Sequence, residues 1–517
     1  IFGARSCGSR RSTGARRGWR RWSCGARRRR LRSCSSRRSG WGSGLEPRCC
    51  ARRRRRRGRR GRSVCASSPT LAPPPSIAAW ERWTRVRRPP RRSPGGAGRS
   101  SSSRWPPEGR PGAADPPGDR MADDRSLARR WAAPPAASTP VATPLQPSVV
   151  YRMEDADALD ALYEGRAQGF TYAREGHPNA ESVGAKIDWL EGLRPEMGRG
   201  VVVGSGMAAI SAAFLGLLAA GDHVVGADQL YGKSLKLLTK DLPRLGVTAT
   251  LADPTDVRAV EAAIRPETKM IHVEVVSNPT LRVADMEGIA EIAHRRGLIL
   301  SVDNTFTTPR GFRPFDHGAH VVTHSLTKLL SGHSDVTLGW AGADTPERNA
   351  ALRDANMSWG LTASPFDCWL AERGLATFEL RYDRCEANAA ALADRLAGLP
   401  GVVRVLYPGR PDHPDHNHAV SLLGGRFGTM VSFSLEGGRA AANRFLRAAG
   451  GLPFAPTLGD VQTLLSHPAS SSHRAMTPEG RAALGIDEGF IRVSVGLEDA
   501  GIVGREFERA VAAAAAG

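Results

Sequence analysis

The sequence predicts an α/β fold with a mostly parallel central sheet, because the middle of the chain repeats an apolar run, a turn and a helical stretch. Continuous rather than alternating hydrophobicity is typical of strands covered on both faces. Polar residues follow most of these runs, and such sheets bind ligands at the carboxyl ends of their strands. The runs are Val201-Val202-Val203, His223-Val224-Val225, Met270-Ile271-His272-Val273, Leu298-Ile299-Leu300 and Val321-Val322.

Residues 1–120 differ sharply in composition from the rest of the chain. They contain 34 arginines, no lysine and 5 acidic residues, a net charge of +29, whereas the other 397 residues carry 39 basic and 46 acidic groups, a net charge of −7. Arginine runs such as 52–57 lie among Ser, Gly and Pro, with too few spaced apolar residues to form a core. This leader is predicted to be disordered, and the pI near 10.7 of the whole chain is due to it.

Three interpretations of the leader compete. An arginine-rich arm could bind nucleic-acid phosphates, whereas an organelle-targeting peptide needs an apolar segment after the charges, which is missing. The third interpretation is upstream sequence translated from a wrong start, since no methionine precedes Met121 and the composition changes abruptly there. The sequence favours this third interpretation, so nucleic acid is not an expected partner.

From Met121 onward, the length suits one large domain and a smaller one. We predict an N-terminal arm over 121–190, a large domain over 191–375 and a small C-terminal α/β domain over 376–517.

Cysteine content and hydropathy bear on the location of this part of the chain. Only Cys368 and Cys385 remain after residue 120, which excludes a disulfide framework and fits a reducing cytoplasm. The stretch 201–220 has no charged residue and is about as long as a membrane span. Because Gly204-Ser205-Gly206 interrupts it, a buried strand, turn and helix are predicted instead.

Two strand ends carry a lysine and an acid that together indicate a cofactor. Lys328 closes the string Thr323-His324-Ser325-Leu326-Thr327-Lys328, and Asp303 closes Leu298-Ile299-Leu300-Ser301-Val302-Asp303. A lysine can form a Schiff base with an aldehyde, and an acid can keep a pyridinium nitrogen protonated so that the ring withdraws electrons. The pair therefore predicts pyridoxal phosphate (PLP), with Lys328 as its linkage and proton carrier.

Other residues at the same edge suit the phosphate and the ring of this cofactor. Ser205-Gly206-Met207 opens a helix whose free N–H groups can bind a phosphate, and Ser325 and Thr327 can add hydroxyl donors. Tyr231 can stack on the flat ring, although a core-edge aromatic is an alternative. Glycine-rich turns, strand-end aspartates and lone lysines are common in such sheets, so the prediction rests on their shared location.

Two other stretches of the sequence resemble binding sites. Gly226 to Ser234 resembles a Walker A loop, but five residues rather than four separate Gly226 from Gly232, and Tyr231 is bulky where a loop must wrap a phosphate. His413, His416 and His418 suggest a metal site, but their Pro- and Asp-rich context equally suits a solvated loop. We predict neither an NTPase nor a metal site.

Eight motifs resemble those of the Cys/Met-metabolism PLP enzymes, the group of cystathionine γ-synthase, cystathionine lyase and methionine γ-lyase. The resemblance covers roughly residues 140–517 and does not extend into the leader. The motifs are Gly204-Ser205-Gly206-Met207-Ala208-Ala209, Tyr231-Gly232, Ser277-Asn278-Pro279-Thr280, Val302-Asp303-Asn304-Thr305, Thr323-His324-Ser325-Leu326-Thr327-Lys328, Gly332-His333-Ser334-Asp335, His467-Pro468-Ala469-Ser470 and Arg492-Val493-Ser494-Val495-Gly496-Leu497-Glu498.

This resemblance implies a fold-type I PLP-dependent transferase that forms a homotetramer of tight dimers with shared active sites. Tyr172-Ala173-Arg174 matches a motif that reaches the cofactor phosphate of the neighbouring subunit, which makes 121–190 a contact arm. Arg492 occupies the position that binds the substrate carboxylate. Asn278 and Thr457 are further expected substrate contacts, Thr457 standing where the family has a serine.

The resemblance also implies the reaction. Lys328 and Tyr231 are the expected catalytic residues, and the substrate is a small amino acid with a leaving group at Cγ or Cβ. Cystathionine γ-synthase or γ-lyase chemistry is favoured. Methionine γ-lyase, cystathionine β-lyase and O-acylhomoserine sulfhydrylase remain open, because pocket shape and solvent access decide between them.

Overall fold

A seven-stranded sheet forms the centre of this computed structural model, which describes residues 138–516. Its strands are β1 (Val201–Val203), β2 (His223–Ala227), β3 (Thr248–Ala252), β4 (Thr268–Glu274), β5 (Ile299–Asp303), β6 (Val321–Ser325) and β7 (Gly339–Ala343). Their order is β1-β7-β6-β5-β4-β2-β3, parallel from β3 through β6, with β7 antiparallel to both of its neighbours. The predicted α/β fold with a mostly parallel sheet is confirmed.

Fourteen α-helices lie within residues 138–516. They are α1 (Ala156–Tyr163), α2 (Pro178–Glu191), α3 (Gly206–Leu217), α4 (Gly232–Lys236), α5 (Val257–Ala262), α6 (Met286–Arg296), α7 (Thr308–Gly311), α8 (Pro346–Trp359), α9 (Pro365–Leu375), α10 (Phe378–Ala397), α11 (His416–Leu423), α12 (Gly438–Ala448), α13 (Pro478–Ala483) and α14 (Ala500–Ala515). Several begin at side-chain caps: Ser205 accepts from the Ala208 N–H ahead of α3, and Asp285 accepts from the Gly288 N–H ahead of α6.

A second sheet of four antiparallel strands follows in the C-terminal part. Its strands are β8 (Val402–Leu406), β9 (Met430–Leu435), β10 (Leu464–Ser466) and β11 (Phe490–Ser494), in the order β10-β11-β9-β8. Helices α12 and α14 pack against each other beside this sheet, and the rings of Phe433, Phe445 and Phe507 meet with centroids 5.4 to 6.2 Å apart. Each buried phenyl ring contributes about 2–3 kcal/mol through the apolar surface it removes from water.

The strand order brings three polar strand ends side by side. β4, β5 and β6 are adjacent and parallel, so Glu274, Asp303 and Ser325, their last residues, fall on one edge of the large sheet. Helix α3 starts three residues after β1 and packs against β6 and β7, which carries its first turn to the same edge. This edge is the expected place for a ligand.

The described residues fall within a compact unit that spans 124–517. The predicted leader, 1–120, and its three interpretations lie outside the described residues, and the boundaries at 121, 191 and 376 stay predictions. Between residues 138 and 516 no helix combines the length and the apolarity needed to cross a membrane. The charge-free stretch 201–220 forms β1, a turn and α3.

Candidate active site

A cavity of about 260 Å³ opens at the carboxyl edge of the large sheet. Residues of the second sheet and of the loop before β10 complete its wall. Ten of the twelve residues predicted to form the site line it: Gly206, Met207, Tyr231, Asn278, Asp303, Ser325, Thr327, Lys328, Thr457 and Arg492. The fold thus brings together positions that are up to 286 residues apart in sequence.

Lys328 lies in the turn that follows β6, with its amine in the cavity. Its Nζ donates to Thr457 Oγ1 at 3.0 Å. Burial lowers the pKa of Lys328, and the nearby Arg492 guanidinium lowers it further. The side chain is therefore held in place and is more easily deprotonated than a surface lysine.

Asp303 ends β5 and directs its carboxyl group into the cavity. Its Oδ1 accepts from the Thr305 N–H at 3.0 Å. Burial raises the pKa of Asp303, while the Thr305 hydrogen bonds and the nearby His324 act in the opposite direction. A cation placed beside this carboxylate would form an ion pair that is shielded from water.

The first turn of α3 approaches β6 unusually closely. A Cβ on Gly206 would lie 2.5 Å from Ser325 Cβ and 2.8 Å from its Oγ, so only glycine fits. The Ser325 N–H donates to Thr305 Oγ1 at 2.8 Å, which fixes the facing strand end. Gly206 and Met207 of this turn line the cavity, and their N–H groups have no acceptor within the helix, whereas the Ala208 N–H is bonded to Ser205 Oγ.

Thr327 lines the cavity, but its hydroxyl is engaged elsewhere. Its Oγ1 accepts from the Leu338 N–H at 3.0 Å and donates to the Leu338 carbonyl at 3.2 Å. The hydroxyl proton that the sequence assigned to a phosphate is therefore directed at the main chain.

Arg492 on β11 is buried, with 4% of its surface exposed, and its guanidinium reaches the cavity. Nη1 donates to Asn278 Oδ1 and Nη2 donates to the Thr457 carbonyl, both at 2.8 Å. Nε has no partner, and burial lowers the pKa of Arg492 to about 10. Both contacts are to neutral groups, so this cation can accept a carboxylate from a ligand.

Tyr231 forms part of the cavity rim just before α4. The residue is 37% exposed, and its N–H donates to Glu274 Oε1 at 2.7 Å. Gly232, the next residue, lies against the main chain of the C-terminal part, because a Cβ there would be 2.2 Å from the Ser472 carbonyl oxygen. The rim is thus fixed from two sides.

Tyr172 and Arg174 are the two predicted site residues that lie outside the cavity of their own chain. Tyr172 is 41% exposed, and the Arg174 guanidinium lies 5.6 Å from the centre of its ring. Arg174 donates to the Met357 carbonyl at 3.0 Å and pairs with Glu175 at 3.4 Å. Both side chains are on the surface, where a second copy of the chain could reach them.

Two residues that the sequence did not single out contribute to the site. Glu274 lines the cavity, and like Asp303 it is an acid that closes an apolar strand, which is a signal that could have found it. Arg381 on α10 donates to the carbonyls of Leu329 and Leu330 at 2.8 and 3.0 Å, beside Lys328. The sequence feature that could have identified Arg381 is an arginine on the buried face of a helix whose other buried residues are mostly apolar.

The two rival sites have structural roles among the described residues. Gly226 lies within strand β2, with its Cα facing the core side chain of Leu238, rather than in a phosphate-binding loop. His413 Nδ1 accepts from the Asp415 N–H, and the rings of His416 and His418 contact the carbonyls of Pro408 and Ala284. In the part of the chain that the structure describes, no cluster of three metal-ligating side chains occurs.

Comparison with known proteins identifies the family of the chain. The family model described as Cys/Met metabolism PLP-dependent enzyme matches residues 129–512. The chain belongs to this family. It is therefore a PLP-dependent enzyme of sulfur amino-acid metabolism, as its motifs predicted, and PLP is its cofactor.

Curated relatives in this family carry several different activities. The chain is 37% identical to L-methionine gamma-lyase of Porphyromonas gingivalis, over 69% of this chain and 89% of that protein. It is 40% identical to cystathionine beta-lyase MetC of Bacillus subtilis, over 66% and 86%. It is 38% identical to O-succinylhomoserine sulfhydrylase of Pseudomonas aeruginosa, over 71% and 89%.

Solved structures agree with the fold. The cystathionine gamma synthase of Xanthomonas oryzae pv. oryzae, solved in complex with cystathionine, matches with a TM-score of 0.68 and 35% identity. The match covers 72% of this chain and 93% of that one. A fold-type I architecture is therefore confirmed for this PLP enzyme.

The cavity fits PLP in its chemistry. A half-buried carboxylate at Asp303 suits a pyridinium, and a lysine with a lowered pKa at Lys328 suits an aldehyde. The close approach at Gly206 suits a phosphate, since a side chain there would block the N–H groups of α3. The three features lie in one cavity of suitable size.

Proposed function

We propose that this PLP enzyme carries out cystathionine γ-synthase or γ-lyase chemistry. The substrate is an amino acid derived from homoserine with a leaving group at Cγ. Either a thiol replaces this group, or the group is eliminated and water converts the remaining amino acid to a 2-oxo acid and ammonia. One observation carries the reaction of an amino acid at this site: Thr457 holds Lys328 with its hydroxyl and Arg492 with its carbonyl. One amino acid can thus present its carboxylate to the guanidinium and its Cα–H to the amine. The similarity to a solved cystathionine gamma synthase supports the choice of Cγ.

The cofactor contacts that we propose follow from the lining of the cavity. Lys328 is the covalent attachment point, and Asp303 is the partner of the ring nitrogen. The α3 N–H groups of Gly206 and Met207 bind the phosphate, with hydroxyl contacts from Ser325 and Thr327. Tyr231 stacks on the ring from the rim. For Thr327 this role requires its hydroxyl to exchange Leu338 for the phosphate.

The substrate contacts that we propose lie on the opposite side of the cavity. Arg492 binds the carboxylate through its two Nη groups, while Asn278 and Thr457 keep the guanidinium in the orientation needed for a bidentate contact. A carboxylate here would also supply the negative charge that this buried cation lacks.

Lys328 and Thr457 move the proton in the proposed reaction. When bound, PLP supplies an electron sink that stabilises negative charge at the substrate Cα. Lys328 Nζ removes the Cα proton, which its lowered pKa favours, and returns it at a neighbouring carbon. Thr457 Oγ1 holds Nζ between these positions. The phenol of Tyr231 covers the reacting atoms and limits the entry of water.

Borohydride trapping tests the attachment site. Reduction of the PLP-loaded chain should fix a pyridoxyl mass on the peptide that contains Lys328. Lys328→Ala should abolish this label, whereas Lys233→Ala, which removes an exposed lysine near the same rim, should retain it. A label on any other lysine would contradict the proposed site.

A product assay on the full chain tests the reaction. O-Succinylhomoserine with cysteine, cystathionine alone and methionine alone are supplied in parallel, and cystathionine, 2-oxobutanoate, pyruvate and methanethiol are measured. We expect cystathionine from the first substrate pair or 2-oxobutanoate with cysteine from the second substrate. Methanethiol as the main product would identify a methionine γ-lyase instead, and pyruvate from cystathionine would identify a β-lyase.

We also propose that the active site is shared within a homotetramer built from dimers. The support is that Tyr172 and Arg174 match the phosphate-contact motif yet lie on the surface of their own chain. Coexpressed Arg174→Ala and Lys328→Ala chains should then form mixed dimers with one intact site of two, which gives about a quarter of wild-type sites. Activity no higher than that of the separate variants would contradict sharing, and light scattering gives the subunit number.

A reducing, cytoplasmic location is the last part of the proposal. Cys368 and Cys385 are both free and buried, and burial raises the pKa of each thiol to about 12. They are thus packing residues rather than nucleophiles. Fractionation of cells that produce the natural protein, with antibody detection in the cytosol, tests this location.

A further inference from the structure

Glu274 is a buried acid in the cavity to which neither the proposed cofactor contacts nor the proposed reaction gives a role. It is the last residue of β4 and pairs in register with Asp303, the last residue of β5. Only 7% of its surface is exposed. Because paired residues on parallel neighbours point to the same face, two carboxyl groups meet at the ring-nitrogen end of the cavity.

The two oxygens of Glu274 have different surroundings. Oε1 accepts from the Tyr231 N–H at 2.7 Å, whereas Oε2 is buried without a partner. A buried carboxylate oxygen without a donor is costly, but a protonated oxygen carries less charge and can itself donate toward a bound ligand. The geometry thus suits a carboxylic acid better than a carboxylate.

The neighbouring groups indicate which of the two carboxyls is ionised. Burial raises the pKa of Glu274 well above its usual range, and the negative charge of Asp303 raises it further. The main-chain N–H groups of Tyr231 and Asn278 oppose the shift of the Glu274 pKa. Hydrogen bonds from Thr305 and the electrostatic effect of the nearby His324 oppose the shift of the Asp303 pKa. Two adjacent carboxyls in one enclosed site cannot easily both ionise. The surroundings therefore favour Asp303 as the member that keeps the charge.

We propose that Glu274 is a positioning residue that fixes Tyr231 at the cavity rim, and that it does so as a neutral carboxylic acid, leaving Asp303 as the single negative charge at this end. The bond to the Tyr231 main chain sets the position of the ring that is proposed to stack on the cofactor. Lys328 and Arg492, the cations of the same cavity, then act on a site with one carboxylate rather than two.

A double-mutant cycle on PLP affinity tests this inference. The apo-protein of each variant is titrated with PLP, and the dissociation constant is measured by absorbance. Glu274→Ala should weaken binding about tenfold, because the Tyr231 ring loses the hydrogen bond that positions it. In a Tyr231→Ala background the same substitution should change the constant by less than about twofold, because there is no longer a ring to position.

Glu274→Gln tests the protonation state. An amide replaces a neutral acid with the same shape and the same acceptor, so PLP affinity should stay within about twofold of wild type, and the absorbance of the bound cofactor should titrate over the same pH range. Asp303→Asn, which removes the ionised member of the pair, should instead weaken binding at least tenfold. Affinity as low in Glu274→Gln as in Glu274→Ala would overturn the neutral-acid assignment.

Asp188→Asn is the matched control for the loss of a buried acid outside the cavity. Asp188 is 9% exposed and accepts from Trp340 Nε1 at 2.9 Å. Its variant should keep wild-type PLP affinity. Equal effects of Glu274→Ala in both Tyr231 backgrounds, or wild-type affinity of Glu274→Ala, would overturn the positioning role. Thermal unfolding of the apo-proteins identifies a variant that does not fold, and Glu274→Gln then decides the charge state alone.

This inference depends on the proposed cofactor site, and the two fail differently. A wild-type chain whose trapped PLP is on a lysine other than Lys328 would remove the site itself. A wild-type chain that binds PLP at Lys328 and tolerates Glu274→Ala would remove the inference alone.

Discussion

Replacing Arg381 should loosen the loop that carries Lys328. The Arg381 guanidinium donates to the Leu329 carbonyl at 2.8 Å, to the Leu330 carbonyl at 3.0 Å and to the Gly374 carbonyl at 2.9 Å. It is 6% exposed and makes no ion pair within residues 138–516. Its charge serves main-chain carbonyls at the end of a helical turn, where a cation is favourable.

Arg381→Met keeps most of the aliphatic volume and removes all of these hydrogen bonds. The Gly374 carbonyl keeps the Thr377 N–H at 3.2 Å, so only the Leu329 and Leu330 carbonyls lose their donor. A buried carbonyl left without a donor costs about 1–3 kcal/mol, so two of them cost about 2–6 kcal/mol. Burial of a guanidinium that forms no ion pair is itself unfavourable by several kcal/mol. Arg381→Met removes this unfavourable burial, which offsets part of the loss. We therefore expect a net loss of about 2 kcal/mol in the free energy of unfolding.

Denaturant unfolding of the apo-protein, followed by circular dichroism, measures this loss. Arg384→Met is the matched control, because Arg384 lies on the same helix, α10, and is exposed. The control should change the free energy of unfolding by less than about 0.5 kcal/mol. Arg381→Met should also shift the pH range over which the Lys328-linked absorbance titrates, since a looser loop lets water reach the amine. Equal stabilities of the two variants would refute the reasoning.

Three further substitutions test other parts of the site and core. Gly206→Ala should weaken PLP binding at least tenfold in an apo titration, because its Cβ would lie 2.5 Å from Ser325 Cβ. Burial raises the pKa of Asp188 to about 6, so the folded chain holds this proton more tightly than the unfolded chain. The stability of wild type relative to Asp188→Asn should then fall by about 2–3 kcal/mol between pH 4 and pH 7, measured by denaturant unfolding. Arg492→Lys should raise KM at least tenfold in steady-state kinetics while the absorbance of bound PLP stays unchanged, because a lysine cannot make the bidentate carboxylate contact.

The strands that were foreseen are those with continuous branched apolar runs. β1, β2, β4, β5 and β6 follow from the sequence, because burial on both faces selects Val, Ile and Leu. The other two strands of the seven-stranded sheet, β3 and β7, were not predicted, for physical reasons. β3 lies at the sheet edge and is partly exposed, so its Thr and Ala give a weak signal, and β7 reads Gly-Trp-Ala-Gly-Ala, where close neighbours demand small residues.

The cavity residues at strand ends could be foreseen because topology alone gathers them at one edge. The contacts of Arg381 could not be predicted from the sequence. Its partners are main-chain carbonyls 51 and 52 residues away, and every residue has a carbonyl, so no residue type indicates the contact. The engagement of Thr327 with Leu338 was likewise invisible, because a hydroxyl can serve a ligand or its own main chain equally well. The local sequence pattern predicts which residues lie at the carboxyl edge of the sheet. Tertiary packing then determines which of their polar atoms are available to a ligand.

Thr457 joins groups that belong to different sheets. Lys328 follows β6 of the seven-stranded sheet, Arg492 lies on β11 of the four-stranded sheet, and Thr457 contacts both within 3.0 Å. A nascent chain that has folded only the seven-stranded sheet has Lys328 in place. It lacks Arg492, which is proposed to bind the carboxylate, and Thr457, which holds the Lys328 amine. Catalytic competence therefore appears late in biogenesis, after the two sheets have docked. In a living cell, only chains in which both sheets have folded and packed together would turn over the amino-acid substrate. Partly folded chains would not consume it.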